Sequence, residues 1–358
     1  MTNRIVGIDV SRALAIVGMI MVNFKIVFGS TGNEGYKYIT SFLEGKAAAV
    51  FVVLAGIGIA FMSNNAVKSN NKIKLKSIRT KIAKRAIFLF IIGLLYTPIW
   101  IADILHFYGI YMLITLLFIS SSQKLIFNLA LSLILVYPLL MLIWNYDTGW
   151  NFKTFVYSEF WSVSGFFRNL FYNGFHPVIP WTAFMLFGLW FGKQDLSSNK
   201  FIKKSILISI SLFVTMLILS NVLLLTLSDG NHTTLLQLKQ VLGTNPMPPL
   251  PIYMISGTSF AIFIISICIL IAKKYKTNFI IVALTKTGQL ALTFYIAHVI
   301  IGMGFIELIY PEKIGNYSIQ FSIMYALAFS AFCVLFAVFW TKYNKTGPLE
   351  SVLRKIAK

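Results

Sequence analysis

In the segment Trp100-Ile101-Ala102-Asp103-Ile104-Leu105-His106-Phe107-Tyr108-Gly109, a carboxylate and an imidazole stand three residues apart. On a helical turn that spacing puts both groups on one face. The carboxylate would fix the imidazole tautomer and raise its basicity, as a general base working near neutral pH requires. The same pair would also serve as an interfacial cap on a tight helical hairpin. His298, in Leu292-Thr293-Phe294-Tyr295-Ile296-Ala297-His298-Val299-Ile300, lies deep in an apolar run. An ionisable group at the centre of a membrane span costs about 2.5–3.5 kcal/mol, so such a residue is a functional candidate by default. Its structural alternative is a neutral ring bonded to a helix neighbour. Asn23, in Met21-Val22-Asn23-Phe24-Lys25, could orient a substrate carbonyl or amine, or bond a neighbouring helix.

Three further segments carry polar groups. Asp9 and Arg12 share a helix face at the start of the first apolar run. They either close its inner end as a salt bridge or leave Arg12 free for a phosphate-bearing ligand. Glu44 opens the second apolar run, where it would contact substrate or pair with Lys46 or Lys25. His176 precedes Pro177-Val178-Ile179-Pro180-Trp181 and reads as structural, while Gly188 and Gly192 form a small-residue face for close helix packing. The four histidines are too scattered for a metal site, and no nucleophile elbow, phosphate loop or redox motif is present.

Positioning these groups falls to about ten apolar stretches, near 8–28, 43–63, 86–103, 107–120, 125–145, 177–192, 203–227, 250–272, 286–309 and 319–341. Hydrophobic residues make up 58% of the 358, and charged residues only 12%. A membrane-spanning helix needs ~20 mostly apolar residues, so ten of them leave no room for a sizeable soluble domain. The expected fold is therefore an all-α polytopic membrane bundle, a single integral domain over 1–358. With the N-terminus inside, all Lys and Arg except Lys25, Lys37, Lys46, Lys153, Arg168, Lys239 and Lys313 fall on the inner side. That asymmetry predicts both termini in the cytoplasm and a basic cytoplasmic loop at 64–85. The net charge of +20 thus speaks for a membrane surface and against nucleic acid. The first apolar run is expected to be retained, because no small-residue cleavage site follows it. Cys268 and Cys333 lie inside apolar runs and read as packed thiols.

Two extracytoplasmic loops are expected, at 146–176 and 228–249. The first is crowded with aromatic residues, including Trp150, Tyr157, Phe160, Trp161 and Phe175. Such a segment would anchor at the headgroup level or close over an outward-facing site.

Several of these segments together resemble a known family. The opening Arg4-Ile5-Val6-Gly7-Ile8-Asp9-Val10-Ser11-Arg12-Ala13-Leu14-Ala15, with Met19 to Asn23, is similar to its first motif. Phe42 to Phe61, Asp103-Ile104-Leu105 with Tyr108, Pro180-Trp181 with Gly188 and Gly192, Gly288 with Leu292-Thr293-Phe294-Tyr295, and Gly347-Pro348-Leu349-Glu350 follow in order. They resemble the bacterial YeiB-like membrane proteins, related to heparan-alpha-glucosaminide N-acetyltransferase among the transmembrane acyltransferases. The resemblance implies transfer of an acyl group from cytoplasmic acetyl-CoA to a sugar, envelope glycan or small-molecule acceptor outside a bacterial plasma membrane. Arg12, Arg79, Lys84 and Arg85 would then face the CoA phosphates, and Asn23 matches the family asparagine near the catalytic site. The related glucosaminide enzyme carries its catalytic histidine shortly after that asparagine, whereas residues 24–43 here contain none. His106 with Asp103, or His298, would have to supply the base, with Asn23 and Glu44 at the acceptor. A homodimer stays open, no metal is expected, and a small-solute exporter or a non-catalytic partner of an envelope assembly complex remain the alternatives.

Overall fold

The computed structural model describes residues 4–357. Lys358, counted above among the inner-side cations, lies outside the described residues. The chain is all-α: α1 (Val6–Phe28), α2 (Glu34–Leu43), α3 (Lys46–Lys68), α4 (Lys72–Tyr96), α5 (Leu105–Leu117), α6 (Gln123–Ile143), α7 (Val163–Arg168) and α8 (Val178–Gly192). It continues with α9 (Asn199–Ser228), α10 (His232–Leu242), α11 (Pro251–Lys274), α12 (Phe279–Gln289), α13 (Ala291–Ala297), α14 (Gly304–Ile309), α15 (Ile319–Tyr343) and α16 (Pro348–Ile356). A two-residue hairpin, β1 (Trp150–Asn151) with β2 (Val156–Tyr157), is antiparallel. Helix starts follow local chemistry: the side chains of Asn33, Asn71, Ser122, Ser162, Asn231, Asn278 and Ser318 each accept from first-turn amides.

Among the described residues, seven helical stretches are long and apolar enough to cross a membrane: Val6–Phe28, Glu34–Lys68, Gln123–Ile143, Asn199–Ser228, Pro251–Lys274, Ala291–Ile309 and Ile319–Tyr343. Leu105–Leu117 and Val178–Gly192 are shorter apolar helices. Helices suit this setting because every backbone polar group is satisfied within the segment.

Three expectations about connectors and spans change. The basic stretch 64–85 is helical except around 69–71, because Asn71 caps α4 and good helix formers carry it on toward the apolar half. The apolar run at 86–103 leaves the helix after Tyr96, and residues 97–104 form the turn into α5. The run at 286–309 is broken: Leu290 departs from helical geometry (φ −106°, ψ 22°), and a π-helical turn, His298–Met303, separates α13 from α14.

The helices cluster into two compact units. One holds residues 4–51, Ser197–Ser209 and Phe260–Lys355; the other holds Val52–Leu196, Ile210–Ser259 and 356–357. In the first, α1 packs on α12, α13 and α15. In the second, α4 pairs with α5, and both α5 and α6 pack on α8. The α8 contact with α3 is backbone to backbone: a Cβ at Gly188 would stand 2.0 Å from the Val53 carbonyl oxygen, and one at Gly56 2.0 Å from that of Met185. The small-residue face read on α8 thus finds a small-residue face on α3.

Candidate functional site

Asp103 and His106 meet where the α4–α5 turn enters α5. The carboxylate oxygen Oδ2 accepts from the His106 backbone N–H (3.2 Å) and lies 2.9 Å from its ring Nδ1. The first contact caps the helix start, and the second orients the ring. Both side chains are buried, and His106 Nε2 has no hydrogen-bond partner among the described residues. The turn can lie this close to α4 only because residue 93 is glycine; a Cβ there would be 2.2 Å from the His106 nitrogen.

His106 forms part of the wall of a cavity of about 160 Å³. Thr97, Pro98 and Ile101 line it from the turn, and Trp150, Val156, Tyr157, Phe160, Trp161, Asn169 and Phe175 from the aromatic loop. Phe160 meets the His106 ring edge-on at 6.2 Å between centroids. The loop is therefore folded over this histidine. Asn173, fully buried, organises it: its amide donates to the carbonyls of Tyr146 (2.7 Å) and Thr148 (2.8 Å), and its Oδ1 accepts from the Tyr157 hydroxyl (2.9 Å). Trp150 Nε1 donates to the Asn173 carbonyl, and Arg168 Nε to the Tyr157 hydroxyl. A π-helical turn, Asn169–Asn173, delivers both asparagines. Such turns are rare and occur often at functional sites.

His176 stands nearby, with its carbonyl accepting from the Tyr111 hydroxyl and its ring against Trp181 at 4.6 Å. Burial, and then the His106 ring, lower its pKa from 6.5 to about 3. It is neutral at pH 7 and adds no charge beside His106.

In the other unit, Asn23 Nδ2 lies 2.9 Å from His298 Nε2. An amide nitrogen only donates, so Nε2 accepts and the ring proton sits on Nδ1. His298 is buried and opens the second π-helical turn. Phe24 and Tyr295 flank the ring, and the Tyr325 hydroxyl donates to the Gly302 carbonyl (2.9 Å) one helical turn further on.

The start of α13, which leads directly into His298, is held by Glu350 of α16. Its Oε1 accepts from the Leu292 and Thr293 amides (2.8 and 3.1 Å), and its Oε2 from the Thr293 hydroxyl (2.6 Å). A carboxylate on first-turn amides also complements the helix dipole. Glu350→Ala is expected to cost about 1.5–3 kcal/mol, the range for hydrogen bonds to a charged group. Thermal unfolding in detergent would show it, and an unchanged midpoint would remove Glu350 from this role.

The remaining expected residues are distributed differently. Arg12 (2.8 Å) and Arg4 (2.7 Å) both clamp the buried Asp9 carboxylate, so Arg12 is engaged in closing the first turn of α1. Arg79, Lys84 and Arg85 lie on α4 in the other unit; Arg79 reaches the Ser120 hydroxyl (3.3 Å) and Arg85 the Met62 sulfur (3.5 Å). A shallow open groove of about 300 Å³ on the same helix is lined by Ile73, Lys76, Ser77, Thr80 and Lys81. Glu44 pairs with Lys25 at 2.5 Å. Among the described residues there is no group of three His, Cys, Asp or Glu able to hold a metal ion. Sequence reasoning passed over Asn169, Asn173 and the capping role of Glu350. The one available signal was the presence of asparagines in an aromatic-rich loop.

Fold and site together define a multi-pass, all-α membrane protein with a buried carboxylate–histidine pair beside a half-open cavity. The chain belongs to the family described as heparan-alpha-glucosaminide N-acetyltransferase, catalytic, whose model matches residues 4–219. A second family model, described as a protein of unknown function (DUF418), matches residues 190–358. No curated protein and no solved structure matches the chain. The resemblance read from the sequence motifs is thereby borne out, and with it a membrane acetyltransferase family.

Proposed function

We propose that this protein moves an acetyl or other acyl group from cytoplasmic acyl-CoA to an amine or hydroxyl of a sugar, envelope glycan or small molecule outside a bacterial plasma membrane. Ten crossings and cytoplasmic termini are part of that reading. The observation that carries it is His106 on the wall of a half-open cavity, with Nδ1 held by Asp103 and Nε2 without a hydrogen-bond partner among the described residues. In the reaction, the acceptor N–H or O–H attacks the thioester carbonyl carbon and His106 Nε2 takes its proton. Asp103 stabilises the imidazolium. The C–S bond then breaks, and the departing thiolate takes the proton back from Nε2. The Asn169 amide, on the cavity wall, is a donor for the developing oxyanion. Arg79, Lys84 and Arg85 offer cations for the donor's phosphates, while Arg12 would first have to leave Asp9.

A second reading places the base at His298. What favours it is the bond to Asn23, the asparagine matching the family motif, which brings an imidazole to a segment whose residues 24–43 contain none. For this ring to accept a proton at Nε2, Asn23 must turn its amide away.

Purified protein in liposomes, given acetyl-CoA and glucosamine as a probe acceptor, tests the proposal. Acceptor-dependent thiol release with formation of acetylated product is expected. Solute flux without thioester loss would instead identify an exporter. Neither flux nor thioester loss with any amino-sugar or glycan acceptor would leave a non-catalytic partner.

A further inference from the structure

The two faces of α4 meet different surroundings. Ile78, Ile82, Ala86, Leu89, Gly93 and Tyr96 recur every three or four residues and are buried, and α4 packs on α5. The opposite face begins at the basic end with Ile73, Lys76, Ser77, Thr80 and Lys81, all exposed, which line the shallow groove of about 300 Å³. Counting on from Thr80 in steps of three and four reaches Lys84, Ile87, Ile91 and Leu95. Ile87 and Ile91 are 50% exposed and Leu95 70%. One strip of the helix therefore passes from cations and hydroxyls to bare aliphatic side chains.

The basic end is unfavourable by itself. Seven of residues 72–85 are Lys or Arg, and residues 45–102 contain no Asp or Glu. Lys72 with Lys76, and Lys81 with Arg85, are like charges four apart, a spacing that destabilises a helix. The first turn of this 25-residue helix, carrying Lys72 and Lys74, is also the positive end of its macrodipole. Lys76 and Lys81 make no ion pair among the described residues. An anionic partner reverses each of these terms. The aliphatic continuation says which anion. A soluble phosphate would engage the cations and leave Ile87, Ile91 and Leu95 bare, whereas a phospholipid covers both parts of the strip. The spacing agrees. Lys81 stands six residues, about 9 Å, before Ile87, close to the headgroup layer of about 5–8 Å beyond the hydrocarbon, and the lysine stem spans the remainder.

We infer that this strip of α4 binds an anionic phospholipid. The headgroup phosphate lies against Lys81 and Ser77, the rest of the headgroup reaches toward Lys76, and an acyl chain runs along Ile87, Ile91 and Leu95. The Thr80 hydroxyl donates to the Lys76 carbonyl (3.1 Å), which leaves Ser77 as the hydroxyl donor. Lys84 borders the site at its apolar end. The strip is on the face of α4 opposite Gly93 and His106 and does not depend on the acyl-transfer reading.

The test titrates full-length protein in a neutral detergent with palmitoyl-oleoyl phosphatidylglycerol or the matching phosphatidylcholine, and counts bound lipid by native mass spectrometry. Saturable binding of phosphatidylglycerol is expected, about tenfold or more tighter than phosphatidylcholine. Lys76→Gln with Lys81→Gln is expected to weaken it about tenfold or more. Both side chains are exposed, so this variant is expected to match the parent in size-exclusion behaviour. Lys72→Gln with Lys74→Gln removes the same charge beside the strip and is expected to change the affinity less than about threefold. Equal affinity for the two lipids would overturn the inference, and so would an equal loss in the two double variants. Displacement of the lipid by glycerol 3-phosphate or coenzyme A would overturn it as well, since the ligand would then be a soluble phosphate.

Discussion

Acetyl transfer is expected to fall about 10²–10⁴-fold in His106→Ala, the usual contribution of a positioned acid–base group. The reason is local. His106 lines the cavity, its buried Nε2 has no partner among the described residues, and Asp103 holds the opposite nitrogen. Asp103→Asn should cost less than His106→Ala. The amide can still bond the ring, but it stabilises the imidazolium poorly and can present its N–H₂ in place of an acceptor. Product formation from labelled acetyl-CoA in liposomes measures both, with size-exclusion behaviour as the folding control. His298→Gln in the same assay separates the two proposed sites. Full activity in His106→Ala together with loss in His298→Gln would transfer the base to the Asn23 pair. Retained activity in both would remove His106 and His298 as the base.

Gly188→Val is expected to abolish folding or to lower the unfolding midpoint by many degrees. At Gly188 the obstacle is the Val53 carbonyl oxygen, 2.0 Å from where a Cβ would stand, and Gly56 meets the Met185 carbonyl at the same distance. A backbone carbonyl within a helix has no rotamer to escape into. The helices would have to separate along their length, with overpacking of about 1–3 kcal/mol or more and the loss of adjacent contacts. The consequence reaches the cavity, because α8 follows directly on the π-helical turn and His176. Yield and thermal unfolding of Gly188→Val beside Gly188→Ala measure it. A midpoint close to the parent's in both would mean that α3 and α8 do not touch there.

What could be read without coordinates was short in range. Run length and composition define spanning helices, because a bilayer core demands ~20 apolar residues whatever their order. Asp103 and His106 are three apart, so their meeting is local, although Asp103 stands in the turn ahead of α5 and reaches the ring by capping the helix start. Gly188 and Gly192 announced a close contact in the same way, although not with which helix. The expectation for Arg12 shows where this range ends: its partner Asp9 is three residues away, but Arg4 on the same carboxylate is not in helical register with it.

The rest depended on tertiary structure. Asn23 reaches His298 across 275 positions, a contact set by how α1 packs beside α13 and by the π-helical turn that re-aims the ring. Whether the aromatic loop would anchor in the interface or lie over His106 was decided by Asn173, whose four hydrogen bonds join residues 16 to 27 positions apart. Glu350 found the start of α13 only because the apolar run breaks at Leu290 and leaves amides to be capped. Periodicity governs groups within one helical turn. Beyond it, helix rotation, register and the satisfaction of buried polar groups decide, and these are settled by packing.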